Sequence, residues 1–333
     1  MEKISGITYP CREVYEEGAV LLSGMDDGKL DARLLLEHFC GIPTHRLLAD
    51  PETPVSASSK KDFLEGIRRR AAREPLAYIT GEQSFMGLPF VVSSDVLIPE
   101  QDTENLVEEA LRLLEDGSRI LDLCTGSGCI LLSLLHYSNG CVGVGTDLSG
   151  KALAIAEKNA AALGLTGQVV WKEGDLFEAL RKDRNRFGKD LSGVQHPDRK
   201  RFGENLYGAP QSLQAAADAG KPGKFDLIIS NPPYIPSAVI ETLAPEVRCA
   251  EPRLALDGGA DGLDFYRRII AEAPGYLTIG GRLMLEIGYD QADAVSALLQ
   301  DAGYYGIEIL QDYGGNDRIA TAVRSMRQGA ESI

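Results

Sequence analysis

The stretch Phe225-Asp226-Leu227-Ile228-Ile229-Ser230-Asn231-Pro232-Pro233-Tyr234 decides how this chain is read. Its first six residues are mostly apolar and too few for a helix, so they read as a buried strand of a parallel sheet. The strand must stop at Asn231-Pro232-Pro233, because two successive prolines fix φ and donate no backbone hydrogen bond. One side-chain amide, two backbone carbonyls and one aromatic ring thereby arrive at the carboxyl end of a strand. That is where open α/β sheets bind ligands.

Such a set suits a planar NH₂ group, either an amide or the exocyclic amine of a base. The Asn231 side-chain carbonyl and the Pro232 backbone carbonyl can accept its two N–H hydrogens. Both acceptors strengthen as the nitrogen turns tetrahedral and cationic, which is binding directed at a transition state. The Tyr234 ring can stack on the planar group. An Asn-Pro turn also ends many strands with no chemistry attached, so the residues upstream have to decide.

Upstream, from Ser118, strands and helices alternate in the manner of a doubly wound α/β sheet. The first strand is expected over Arg119–Leu123, followed by the turn Cys124-Thr125-Gly126-Ser127-Gly128 and a helix over Cys129–Tyr137. A second strand over 141–146 is closed by Asp147, with a helix over 149–163 behind it. The third covers 168–171 and ends at Gly174-Asp175-Leu176-Phe177. The opening stretch is the fourth strand. A fifth covers 282–287, with a helix over 261–273 before it and one over 291–302 after it. Segments 304–310 and 318–323 read as a closing antiparallel pair.

A small-residue turn after the first strand lets backbone approach a ligand, and an acid at the tip of the second can hold ribose hydroxyls. A dinucleotide fingerprint needs a third glycine, and here Gly128 is followed by Cys129-Ile130-Leu131. With Asp122 beside the turn, a cationic ligand fits better than an anionic pyrophosphate. S-adenosylmethionine offers a ribose, an adenine, an ammonium and a sulfonium, giving Asp122, Asp147 and Asp175 a partner each. Taken one at a time, each acid also reads as a helix cap or a surface carboxylate.

Residues 1–80 read as a small helical domain. Asp31 is placed as an N-cap, and Ala32, Leu35, Leu36, Phe39 and Cys40 form one apolar face. Gly41 and Pro43 end that helix. Another helix starts after Ser56 and buries Phe63, Leu64 and Ile67. The run Arg68-Arg69-Arg70 reads as a solvated helix end complementing the dipole, with an anionic partner as the other reading. Residues 81–98 are expected to form a β-hairpin linker, and 99–326 the larger domain, in which Asp102 or Thr103 caps a helix running to about Leu114.

Composition narrows the partners. The chain has 333 residues, 44% hydrophobic and 25% charged, with a net charge of −15. That balance argues against broad nucleic-acid binding, which needs basic surface. Six cysteines with no CxxC pair read as reduced thiols of a cytosolic protein, and four scattered histidines suggest no metal site. No signal peptide or membrane-spanning apolar run is seen.

These motifs together resemble the class I methyltransferases that modify amino nitrogen. Glu74-Pro75-Leu76-Ala77-Tyr78-Ile79-Thr80-Gly81, Phe85-x-Gly87-Leu88-Pro89-Phe90, Leu97-Ile98-Pro99 with Asp102-Thr103-Glu104, and Tyr313-Gly314-Gly315-Asn316-Asp317-Arg318 narrow it. They are similar to the HemK/PrmC family of peptide-chain-release-factor glutamine N5-methyltransferases, over nearly the whole chain. The resemblance implies a seven-stranded doubly wound sheet with an antiparallel last strand, and a helical domain that engages the protein substrate. It implies methylation of the glutamine in the Gly-Gly-Gln motif of class-I release factors, with S-adenosylhomocysteine as the co-product. It further implies that Cys124 to Gly128, Asp147 and Leu176 line the cofactor and that Asn231 to Tyr234 hold the glutamine amide. A cytoplasmic monomer using no metal, no membrane and no direct nucleic-acid contact is expected.

Three departures from the family pattern stand out: Cys124 in place of a glycine, Glu100-Gln101 in place of Arg-Pro, and Leu176 in place of an aromatic ring. A fourth is length. Segment 181–224 carries Lys or Arg at ten positions and Asp or Glu at five, and its composition reads as a mobile, tolerated surface loop, with steering of an acidic release factor or RNA by its basic residues as the other reading. Ribosomal-protein glutamine methylation and adenine-N6 methylation are the alternative activities, and a non-catalytic cofactor-binding scaffold is a third reading. The acid balance and the small helical domain count against the adenine reading, and the intact Asn231 motif against the scaffold.

Overall fold

Phe225 and Ile228 enter one buried apolar cluster while Leu227 and Ile229 enter another, so the strand that carries them is covered on both faces. It is the centre of a seven-stranded sheet in a computed structural model that describes residues 6–181 and 224–326. In chain order the strands are β1 (Arg119–Leu123), β2 (Val142–Asp147), β3 (Val169–Glu173), β4 (Phe225–Ser230), β5 (Leu277–Glu286), β6 (Tyr305–Gln311) and β7 (Asp317–Val323). Their order across the sheet is β3-β2-β1-β4-β5-β7-β6. All neighbours pair in parallel except β7, which runs antiparallel to both β5 and β6. This is the doubly wound architecture expected from the sequence, with its antiparallel last strand.

The direction of winding reverses between β1 and β4, and the crevice outside their carboxyl ends is the switch point where such sheets take ligands. Helices cover both faces. Leu131, Leu134 and Leu135 of Cys129–Tyr137 pack with Leu106 and Val107 on one side, and Tyr266, Ile269, Val295 and Leu299 fill the other. Close packing explains two glycines of β2. A Cβ on Gly145 would lie 2.3 Å from the Trp171 ring, and one on Gly143 2.5 Å from Leu131.

Strand β5 begins five residues earlier than expected, at Leu277. Gly280 and Gly281 read as a turn in sequence, yet the strand runs through them, and the β4 ladder shifts register between Phe225 and Leu227 to take up the slack. The expected insertion 181–224 falls almost wholly on 182–223, outside the described residues.

Up to Glu82, and with Ala244–Ala250 added, the chain forms a second compact unit. Its core is Val14, Leu35, Leu36, Phe63 and Ile67. Gly18 and Gly66 admit the Phe63 and Phe39 rings, since a Cβ there would lie 2.4 Å and 2.5 Å from them. A three-residue ladder between Thr8–Pro10 and Pro54–Ser56, too short to leave a sequence pattern, joins the helices. Ser56 caps the helix Ala57–Ala71 by accepting from Ser59 N at 3.1 Å, as expected.

Asp31 is not a cap. The helix Gly28–Cys40 starts three residues before it, and its side chain turns inward to meet Arg70 Nε at 2.7 Å. Arg69 and Arg70 are likewise not a solvated helix end: Arg69 holds Glu74, and Arg70 holds Asp31 and Glu246. Only Arg68 of the three pairs with a carboxylate at an exposed position, Glu65.

The expected hairpin is present as Glu82–Phe85 paired with Leu88–Val91. Its two-residue turn puts Met86 at φ 52° and Gly87 at φ 71°, the pair of left-handed residues that matches strand twist. Met86 tolerates that backbone because Glu104 accepts from its N–H at 2.5 Å and Tyr137 donates to its carbonyl at 2.6 Å.

Candidate active site

The turn after β1 is built from left-handed residues. Cys124, Gly126 and Gly128 have φ of 57°, 56° and 79°. At Cys124 this costs a side-chain-bearing residue about 1–2 kcal/mol, a stronger reason for glycine at this position than crowding. Thr125 N donates to Thr146 O at 2.9 Å, pinning the turn to β2, and Gly128 N donates to Thr125 O at 2.8 Å. The Ser127 carbonyl accepts from Asn159 Nδ2 at 2.9 Å, and the same buried amide exchanges two bonds with Val91 of the hairpin. Asn159 therefore fixes the turn from behind.

Asp147, at the tip of β2, closes the turn from the front. Its Oδ2 accepts from Gly126 N at 2.9 Å and its Oδ1 from Ser149 N at 2.8 Å. Its backbone carbonyl accepts from Gly174 N at 2.9 Å, which brings the end of β3 alongside. Asp122 is fully buried, with Oδ2 accepting from Thr125 Oγ1 at 2.5 Å and Oδ1 bonded to nothing among the described residues. Burial pushes its pKa up to about 7, against the Thr125 hydrogen bond and helped by the Asp147 charge. Burial also raises Asp147, opposed by the backbone N–H groups it accepts from. Two desolvated carboxyls with no cation among the described residues acting on either favour a positively charged ligand.

The other two residues expected here behave differently. Asp175 already holds Arg268, Nη2 to Oδ2 at 2.7 Å. Leu176, at φ 47° and 4% exposed, turns its side chain into the apolar cluster with Phe177 and Leu180. The Cys124 thiol, raised by burial and by Asp147 and Asp122, is no nucleophile.

Across the switch point, Ser230 Oγ donates to Leu123 O at 2.6 Å and joins the end of β4 to the end of β1. Pro232 and Pro233 are buried, and Asn231 and Tyr234 are half-buried. Asn231 Nδ2 donates to Thr103 Oγ1 at 3.1 Å. The Tyr234 hydroxyl donates to Glu286 Oε1 at 3.4 Å, and its carbonyl accepts from Gln291 Nε2 at 3.0 Å. A Cβ on Gly262 would lie 2.3 Å from that carbonyl, and one on Gly258 2.7 Å from Tyr234 Cα, so two glycines let the loop lie flat.

Glu286 is 1% exposed, and burial raises its pKa to about 7 against the pull of the Thr103 hydroxyl. Arg318 binds Asp312 at 3.2 Å and Asp102 at 3.0 Å, tying the β6–β7 hairpin to the helix Gln101–Leu113. Asp102 and Thr103 therefore do not cap that helix: its N-cap position is Glu100, with no side-chain bond, and both are spent on the site.

Thr103 is expected from sequence only as a helix cap, and Arg318, Glu286, Gln291 and Asn159 receive no role from it. The first two sit in the motifs Asp102-Thr103-Glu104 and Asp317-Arg318, which signalled importance without a mechanism. The other three left no local signal.

Residues 13–81 match the model of the PrmC N-terminal domain. Across 305 residues the chain is 38% identical to the release factor glutamine methyltransferase of Geobacter sulfurreducens, covering 92% of this chain and 93% of that one. It is 40% identical to that of Moorella thermoacetica, covering 90% and 93%. A solved structure, the release-factor-specific protein-(glutamine-N5) methyltransferase of Alicyclobacillus acidocaldarius, is 28% identical, covering 71% of this chain and 99% of that one, with a TM-score of 0.37.

Proposed function

Since the chain belongs to the release factor glutamine methyltransferases, we propose that it moves a methyl group from S-adenosylmethionine to the side-chain nitrogen of the Gly-Gly-Gln glutamine in class-I release factors. The observation that carries this reading is the position of Asn231, held by Thr103 at the switch point where the buried Asp122 and the half-buried Asp147 also end their strands.

S-adenosylmethionine, when bound, supplies an electrophilic methyl on a sulfonium. The residues fit it: the Asp122 Oδ1 lone pairs are unspent, and the space beside Gly126 is open for 4 Å around where a Cβ would stand. Asp147 would hold the ribose hydroxyls, and the backbone of 124–128 and of Leu176 would lie along the ligand. Asp175 contributes through a carboxylate shared with Arg268.

Asn231 Oδ1 and the Pro232 carbonyl accept the two N–H hydrogens of the glutamine amide, and Tyr234 bounds it. Positive charge growing on that nitrogen strengthens both acceptor bonds in the transition state. The N-methylated nitrogen then returns its extra proton to water. Holding the nitrogen in line with the methyl is worth on the order of 7 kcal/mol or more. The helical unit is proposed to engage the release factor in the cytoplasm. Among the described residues no helix is long and apolar enough to cross a membrane.

Mass spectrometry of a release-factor peptide spanning Gly-Gly-Gln, after incubation with this protein and cofactor, should show one added methyl on glutamine. Methylation of a ribosomal protein instead would favour the alternative activity. Asp147→Ala should weaken S-adenosylhomocysteine binding by about 1.5–3 kcal/mol in calorimetry, the value of a hydrogen bond to a charged group. Affinity within twofold of the unmodified chain would remove Asp147 from the cofactor site, and measurable binding of NAD would return the dinucleotide reading.

A further inference from the structure

A side-chain amide has two ends of similar shape and opposite polarity, and only the carbonyl end of Asn231 can accept from a substrate N–H. Rotating it by half a turn would aim two N–H donors at the substrate NH₂ and repel it. Something must therefore decide which end faces out.

The contacts around Asn231 supply that device. Its Nδ2 donates to Thr103 Oγ1 at 3.1 Å. Thr103 is 3% exposed and sits in the first turn of Gln101–Leu113, a helix held by the Arg318–Asp102 ion pair at 3.0 Å. A hydroxyl can accept from Asn231 while giving its own hydrogen elsewhere. The buried Glu286 carboxyl, 1% exposed, feels the Thr103 hydroxyl as a group favouring its charged form; it takes the Tyr234 hydroxyl on Oε1 and leaves Oε2 buried with no hydrogen-bond partner among the described residues. That open acceptor is the place for the hydrogen that Thr103 does not use on Asn231.

We propose that Thr103, oriented by Glu286, is the positioning residue that fixes the Asn231 amide with its carbonyl toward the substrate. Glu286 accepts, Thr103 donates to it and accepts from Asn231, and Asn231 is left with only its carbonyl to present. Polarity runs one way along the chain of bonds. This rests on the reading of Asn231 as the acceptor for the glutamine amide.

The test measures kcat and KM for methylation of a purified class-I release factor, with S-adenosylhomocysteine affinity and melting temperature as controls. Thr103→Val keeps the shape and removes the acceptor. It should lower kcat about 10–100-fold, the scale of a misplaced reacting group, with KM, cofactor affinity and melting temperature nearly unchanged. Thr103→Ser should restore kcat to within about threefold, and Thr103→Ala gives a second removal of the hydroxyl should the valine variant not fold. In an Asn231→Ala background, Thr103→Val should cost nothing further, because its effect passes through Asn231. Glu286→Gln should mimic Thr103→Val. Normal kcat in Thr103→Val beside a crippled Asn231→Ala overturns the proposal, as does full additivity of the two. Normal kcat in Glu286→Gln overturns the part given to Glu286. A normal Asn231→Ala would instead overturn the reading of the site beneath it.

Discussion

Asn231→Ala is expected to slow methyl transfer by roughly 10²–10³-fold, the usual scale for removing one preorganised polar group from a transition state. The loss should appear in kcat. Among the described residues Asn231 makes no hydrogen bond to the Cys124–Gly128 turn or to Asp147, so S-adenosylhomocysteine should bind the variant as it binds the unmodified chain. Single-turnover methylation of a release factor, paired with calorimetry, separates the two. If turnover stays within a few fold, the amide at the end of β4 is an ordinary strand terminus and the acceptor must be sought elsewhere.

The second large effect concerns stability. Arg70 and Asp31 have side chains 14% and 9% exposed, and Arg70 also reaches Glu246 at 3.5 Å and the Glu74 carbonyl at 3.3 Å. One guanidinium thus fastens three segments of the helical unit. Arg70→Met leaves a nearly buried carboxylate alone and should destabilise that unit by about 3–5 kcal/mol. Pairing it with Asp31→Leu should return most of the loss, because an apolar pair of similar volume needs no counter-charge. Denaturant unfolding of the intact chain, followed at the transition of the helical unit, reads both. A single variant within 0.5 kcal/mol of the parent would show the pair to be incidental.

What was legible in the sequence follows from periodicity and punctuation. Strands β1 and β4 match their expected bounds because each is a mostly apolar run with a turn signal close behind it, Gly126 after one and Pro232 after the other. β5 was cut short because Gly280-Gly281 mimics a turn, and no local pattern distinguishes a turn from a strand with a register shift. In the site, turn and acids were readable because they sit at strand ends in sequence order. Thr103, Glu286 and Asn159 act from distant segments, and a partner 128 residues away from Asn231 leaves no trace in spacing. Asp31 misled for a related reason. An acid at a helix start suits a cap, and only the fold reveals that Arg70, 39 residues on, claims it.

The arrangement at the switch point also sets a timetable for folding. β1, β2 and β3 are joined by single helical crossovers, whereas β4 meets β1 across a sequence separation of 107 from Leu123 to Ser230. Loop-closure entropy delays the distant pairing, and shortening the intervening chain by the 182–223 stretch would ease it by only about 0.4 kcal/mol. The acids proposed to hold the cofactor are therefore expected to assemble before Asn231 joins them, and a refolding chain should pass through a stage able to bind cofactor and not yet able to methylate. Pulsed hydrogen exchange during refolding should find β1–β3 amides protected before those of β4 and β5. Simultaneous protection would mean that the sheet closes in one step and that the two halves of the site are born together.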